Sequence, residues 1–189
     1  NYFIKKESKS NFPEVISLED GSTTNKSEKV ADILNTHFAK IGEKIVSSVM
    51  NQFDSRSNKH FSSYLPSPQS NSIFLGPISH SEITKIVCDL NPGNSAGIDG
   101  SSSKIVKEIL SAIILPLQHI INLSFKTGVF PSAFKEARIV PLHKGDSPEN
   151  PSNYRPISIL SAFSKILEKA IYKRFYDFLK SSNFFTNSQ

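Results

Sequence analysis

The chain reads as an α+β protein, mainly helical, with one small pair of antiparallel strands. Apolar residues recur at helical spacing over about 26–50, 79–90, 104–125 and 161–180, as expected of helices that bury one face. The pattern changes at Ile139, Val140 and Leu142, a short strand-like run followed by a Gly/Asp/Ser/Pro/Asn loop over 144–154 and a second extended stretch over 155–160. With 189 residues, 38% of them hydrophobic, the chain can build one core and a small second module.

Residues 1–24 are polar, with a turn at Glu19-Asp20-Gly21, and are expected to be a linker. The helix over 26–50 places Val30, Ile33, Leu34, Phe38, Ile41, Ile45 and Val49 on one stripe, and Asn25 stands three residues before Glu28, the spacing of a capping box. Residues 51–72 are Ser/Asn-rich with two prolines, so 25–72 divides into a helical extension and a flexible connector. The stretch 73–134 opens with Ile73-Phe74-Leu75. A second box, Ser79 to Glu82, starts a helix that turns Ile83, Ile86, Val87 and Leu90 inward and stops at Asn91-Pro92-Gly93. Asn94 to Gly100 is a turn whose glycines permit positive φ and close backbone approach. Pro116 is expected to divide the apolar stretch 104–125 into two helices. Thr127-Gly128 closes the second, and Phe130 to Phe134 is a short helical step into the strand. The last helix, Ser161 to about Lys180, buries Phe163, Ile166, Leu167, Ala170, Ile171, Phe175, Phe178 and Leu179. Lys165, Lys169, Lys173 and Arg174 lie off that stripe.

The formal charge of +5 is unevenly spread. Residues 1–134 carry 13 Lys/Arg and 12 Asp/Glu, whereas 135–189 carry 9 and 5, so the basic excess lies with the strand–loop–helix unit. Such a patch suits nucleic acid or nucleotide phosphates; a solvated helix face is the plainer alternative. The single cysteine, Cys88, excludes an internal disulfide and is expected to be a buried structural thiol. No apolar run approaches a membrane span of about 18 residues, and the basic start lacks a signal-peptide core. The chain begins with Asn, so a preceding segment is expected. Asp99 and Asp146 read as turn formers, and the five histidines share no ligand spacing, so no metal site is expected.

The segment ARIVPLHKGD…NYRPISIL…KILEKAIYKR resembles the opening motifs of reverse transcriptases from non-LTR, LINE-like and jockey-type retrotransposons. Upstream, ISHSEITKIVCDLNPGNSAGIDG resembles that family's segment preceding the polymerase, and NLSFKTGVFPSAFKEARIVPLHK its lead-in to the first strand of the fingers. The N-terminal helix with its FAKIG resembles the region between endonuclease and polymerase, so the resemblance covers nearly the whole chain. It differs at Asn94, where the family's turn usually has lysine. It also differs at Ser101-Ser102-Ser103, which replaces a more apolar stretch and is expected to loosen the start of the next helix.

The resemblance implies a helical extension over 25–72, a segment preceding the polymerase over 73–134, and over 135–189 the start of the fingers of a right-hand polymerase, truncated before the palm. It implies that Arg155 and Lys144 bind the triphosphate of the incoming deoxynucleotide. Arg155 offers a planar fork and Lys144 a mobile point charge, each charge-assisted contact contributing about 1.5–3 kcal/mol. An ion pair of Arg155 with Asp146 or Glu149, and an ordinary exposed role for Lys144, are the alternatives. Arg138, Lys165, Lys169 and Lys173 would meet the nucleic-acid backbone. The implied partners are an RNA template, a DNA primer, deoxynucleoside triphosphates, the palm and thumb of the same polyprotein and an upstream endonuclease, in the nucleus or cytoplasm and without a membrane. Polymerisation needs Mg²⁺ held by aspartates that the family carries downstream, and no Asp-Asp pair stands in this sequence. The chain alone is therefore expected to be inactive. A non-catalytic nucleic-acid-binding module and a decayed retroelement fragment are the competing readings.

Overall fold

The computed structural model describes residues 12–18, 20–50, 60, 63, 72–93, 95–182, 184 and 185. The expected connector over 51–72 and the substitution at Asn94 fall almost wholly outside them. Elements follow in the order β1 (Ile16–Ser17), β2 (Thr23–Thr24), α1 (Ser27–Met50), α2 (His80–Cys88), α3 (Ser103–Thr127), β3 (Ala137–His143), β4 (Tyr154–Leu160) and α4 (Ala162–Ser181). Two-stranded sheets form from β1 with β2 and from β3 with β4, giving a mixed helical and strand architecture. Contacts divide the chain into two compact units, Asn1–Pro66 with Ile139–Ile157 and Ser67–Arg138 with Ser158–Gln189. Each is built from two separate stretches.

The first unit has its own small core. Ile16, Val30, Leu34 and Tyr154 are buried together, with Phe12, Ile33 and Phe38 packed against them. The stretch read as a linker thus contains an antiparallel hairpin that pairs Ile16 with Thr24 and Ser17 with Thr23. Gly21 sits at φ 83° in its turn, and Asp20 accepts from the Ser22 N–H at 2.9 Å. Two-residue strands are too short to show alternation in a sequence, so only the turn signalled them. The apolar stripe of α1 is half covered: Val30 and Leu34 are buried, whereas Ile41, Ile45 and Val49 are exposed. Val30 N–H bonds the Lys26 carbonyl at 2.9 Å, which puts the cap at Lys26. The expected box between Asn25 and Glu28 is not among the hydrogen bonds of the described residues; Thr24 Oγ1 accepts from Lys26 N–H instead.

The second unit packs α2, α3 and α4 around Ile78, Ile83, Ile86, Val87, Leu90, Val106, Leu117, Ile121, Phe125, Ile166, Leu167 and Ala170. The Ser79 hydroxyl caps α2 by accepting from Glu82 N–H at 3.2 Å. Cys88, expected inside, is exposed. It lies one residue past Val87 and so turns about 100° away from the buried stripe. α3 is one continuous helix with Pro116 inside it, not two. Pro116 and Ala112, four residues earlier, are both exposed, so water can meet the carbonyl that proline leaves without a donor. Buried side chains on both sides of Pro116, from Val106 to Phe125, hold the two halves in line.

α3 is also long and apolar enough to cross a membrane by composition, with a mean hydropathy of 1.4 in its best window. Pro116, Gln118, His119 and Asn122 break up the apolar run, which hides this length in the sequence. Two of those polar residues hold the buried backbone of Ile78: Asn122 Oδ1 accepts its N–H at 2.7 Å, and Gln118 Nε2 donates to its carbonyl at 2.8 Å. The serines before α3 do not loosen it. Ser102 caps the helix by accepting from Ile105 N–H, and Ser103 is buried. At the other end Gly128 takes φ 71° and donates to the Ser124 carbonyl, a left-handed cap.

Candidate nucleic-acid interface

β3 and β4 carry the first pair of candidate residues. Strand alternation sends Tyr154 inward, 6% exposed, and leaves its neighbour Arg155 exposed. The Tyr154 hydroxyl donates to the Pro148 carbonyl at 2.6 Å and its ring lies 5.1 Å from that of His143. Burial pushes the Tyr154 phenol up. Pro156 fixes the backbone on the other side of Arg155 in an extended form. Among the described residues Arg155 makes no ion pair, so the pairing with Asp146 or Glu149 does not form.

Lys144 follows β3 directly, and its N–H donates to the Asn153 carbonyl at 2.9 Å, closing the base of the loop. Gly145 at φ 125° and Asp146 at φ 64° turn the chain, and glycine is needed at the first of these. Asn153 Nδ2 then donates to the Ser147 carbonyl and Asn150 accepts from Ser152 N–H. The Glu149 carbonyl accepts from Ser17 N–H at 2.9 Å. The loop is therefore ordered by its own amides and by β1, with Lys144 exposed at its edge.

A histidine not selected from the sequence belongs to this unit. His37 Nε2 is buried with no hydrogen-bond partner among the described residues. Burial first, then the ammonium groups of Lys44 and Lys144, hold its pKa below the ordinary 6.5. The unfolded chain then binds a proton that the fold resists, so stability falls as pH drops from about 6.5 through the lower folded value. Urea midpoints should fall between pH 7 and pH 5 more for the native chain than for a His37→Gln variant. Parallel pH profiles would contradict this environment for His37.

The remaining candidates lie in the second unit. Arg138 is exposed on β3, and Lys165 and Lys169 line one groove on α4 with Tyr172. Lys173 is 60% exposed, with its Nζ 4.0 Å from Glu82 Oε1. Arg174, expected on the wet side, is instead built into the fold. Its guanidinium bonds Glu82 at 2.9 and 3.2 Å, the Gly76 carbonyl at 2.7 Å and the Ala170 carbonyl at 3.0 Å, and lies 4.7 Å from the centre of the Phe125 ring. Its place four residues after Ala170, on the buried stripe, was the signal in the sequence. Phe175, expected inside, is 48% exposed.

A second feature escaped the sequence. The Gly97-Ile98-Asp99-Gly100 turn locks onto the start of α4. Ser161 donates its hydroxyl to Asp99 Oδ2 at 2.6 Å, and its own Oγ accepts from Phe163 N–H to cap α4. Asp99 Oδ1 accepts from Ser101 N–H at 3.2 Å, so both its oxygens are engaged. A Mg²⁺ site does not fit the described residues, which gather no group of three His, Cys, Asp or Glu side chains.

Among curated proteins the chain is 35% identical, over 61% of its length, to an RNA-directed DNA polymerase assigned to transposon BS of Drosophila melanogaster. It is 30% identical over 59% of its length to the RNA-directed DNA polymerase from mobile element jockey of the same species, and 30% identical over 52% to the jockey polymerase of Drosophila funebris. The likeness to retrotransposon reverse transcriptases read from NYRPIS and its surroundings is upheld by these relatives. The chain spans 11–13% of their lengths. No family model matches it.

Proposed function

We propose that this chain is part of an RNA-directed DNA polymerase of a non-LTR retrotransposon, its 135–189 region supplying the start of the fingers. The observation that carries the reading is Arg155: an exposed cation without an ion partner among the described residues, held between buried Tyr154 and Pro156 on a strand next to the ordered loop of Lys144. A planar fork so held suits the oxygens of a triphosphate, and binding them would position the incoming deoxynucleotide rather than carry out the chemistry. Arg138, Lys165, Lys169 and Lys173 would contact the backbone of an RNA template and DNA primer. Mg²⁺, when bound by downstream aspartates of the polyprotein, would activate the primer hydroxyl. A palm and thumb downstream, an endonuclease upstream and an intracellular site of action complete the proposal. Purified 1–189 should not extend a primer with any nucleotide or divalent cation, whereas the same chain continued through its polymerase frame should. Incorporation by 1–189 alone, or none by the extended protein, would overturn the reading.

A further inference from the structure

We infer that the outward face of α4 is a stacking platform for single-stranded nucleic acid, which rests on the polymerase reading and assigns it a particular surface. Lys165, Lys169, Tyr172, Lys173, Tyr176 and Lys180 recur at i, i+4, i+7, i+8, i+11 and i+15, which places them on one stripe about 100° wide. This stripe contains no carboxylate; Glu168 and Asp177 fall on its two flanks. The side that buries Ile166, Leu167, Ala170 and the Arg174 fork borders it at Lys173, whose Nζ lies 4.0 Å from Glu82 Oε1.

The exposed apolar groups within it are rings. Tyr172 is 64% and Tyr176 41% exposed, and their centroids lie 5.8 Å apart with planes at 27°. Phe185 continues the series 5.3 Å from Tyr176 at 36°, followed by Phe184, 66% exposed. A groove of about 540 Å³ opens where Lys165, Lys169 and Tyr172 face Leu90 and Asn91. Asp89 and Glu168 also line it, so the phosphates belong on the outer rim with Lys169 and Lys173 rather than inside the groove.

Rings alternating with ammonium groups match the two chemical faces of an unpaired strand. Bases stack on rings without regard to sequence, and the backbone meets the lysines. Duplex bases are already stacked and gain nothing from the rings. The ring faces serve RNA and DNA alike, because they read bases and not sugars.

The test uses the 189-residue chain and labelled strands of about 12 nucleotides: oligo-dT, oligo-U, an abasic strand of equal length and a blunt duplex. Both base-bearing single strands should bind, and the abasic strand about tenfold more weakly. Tyr172→Ala with Tyr176→Ala should erase that difference, while the Tyr→Phe pair keeps it. Lys169→Gln should reduce the salt dependence and leave the base preference intact. Equal binding of abasic and base-bearing strands, binding confined to the duplex, or no strand binding because the rings are covered by protein would each overturn the inference. Polymerisation does not enter this readout, so the platform can fail while the polymerase reading stands.

Discussion

Replacing Gly97 by alanine should cost about 3 kcal/mol of stability, at the upper end of what overpacking usually costs. A Cβ at this position would stand 2.6 Å from Ser161 N, 2.8 Å from Ser161 Cα and 2.9 Å from the Leu160 carbonyl carbon. All three are backbone atoms, so no side chain can swing aside. The clash would also part Ser161 from Asp99, opening a 2.6 Å hydrogen bond at the cap of α4. Urea unfolding gives the cost directly. Gly100→Ala is the useful comparison, because nothing lies within 4 Å of its added Cβ and only its φ of 71° resists; its cost should be about 1 kcal/mol. Equal costs at the two positions would show that the close approach at Gly97 is not what requires glycine.

Arg174→Met should cost a similar amount, again about 3 kcal/mol. The Arg174 and Glu82 side chains are 13% and 19% exposed, so removing the guanidinium leaves a carboxylate that water reaches poorly, with only the Lys173 ammonium at 4.0 Å. The Gly76 and Ala170 carbonyls lose their donor in the same step. Arg174→Lys should recover only part of the loss, because an ammonium cannot reproduce the two-pronged contact. Removing both charges, Arg174→Met with Glu82→Leu, should be markedly less harmful than Arg174→Met alone, since no buried charge is then left over. A double variant as unstable as the sum of its parts would contradict the role of this pair.

The sequence conveyed what depends on periodicity and lost what depends on long-range pairing. The strands, the loop between them and the last helix were legible because apolar spacing changes sharply at Ile139 and again at Ser161. Pro116 misled because its helix-breaking tendency is local, whereas the packing of Val106 through Phe125 that overrides it is tertiary. Asp99 looked like a turn residue and is one, but its second oxygen reaches Ser161, 62 positions away, and no local pattern encodes that. Arg174 carries a charge, but its helical position, four residues after Ala170, places it on the buried face. Cys88 shows the converse: its apolar character does not decide, because it stands one residue off the buried stripe. At the candidate site, the residue types of Lys144 and Arg155 were readable. The tie of their loop to Ser17, and the half-buried His37 beside Lys144, needed the fold.

The central claim is that Arg155 grips the triphosphate of an incoming nucleotide while the lysines of α4 serve the nucleic-acid backbone. It is tested most directly in the chain continued through its polymerase frame, by measuring the KM for deoxynucleotide and the Kd for primer–template in native and Arg155→Ala proteins. The account predicts a rise of about tenfold or more in KM, the loss of one charge-assisted contact, with the Kd for primer–template nearly unchanged. Equal losses in both constants, or an unaltered KM, would make Arg155 a structural residue and contradict the assignment.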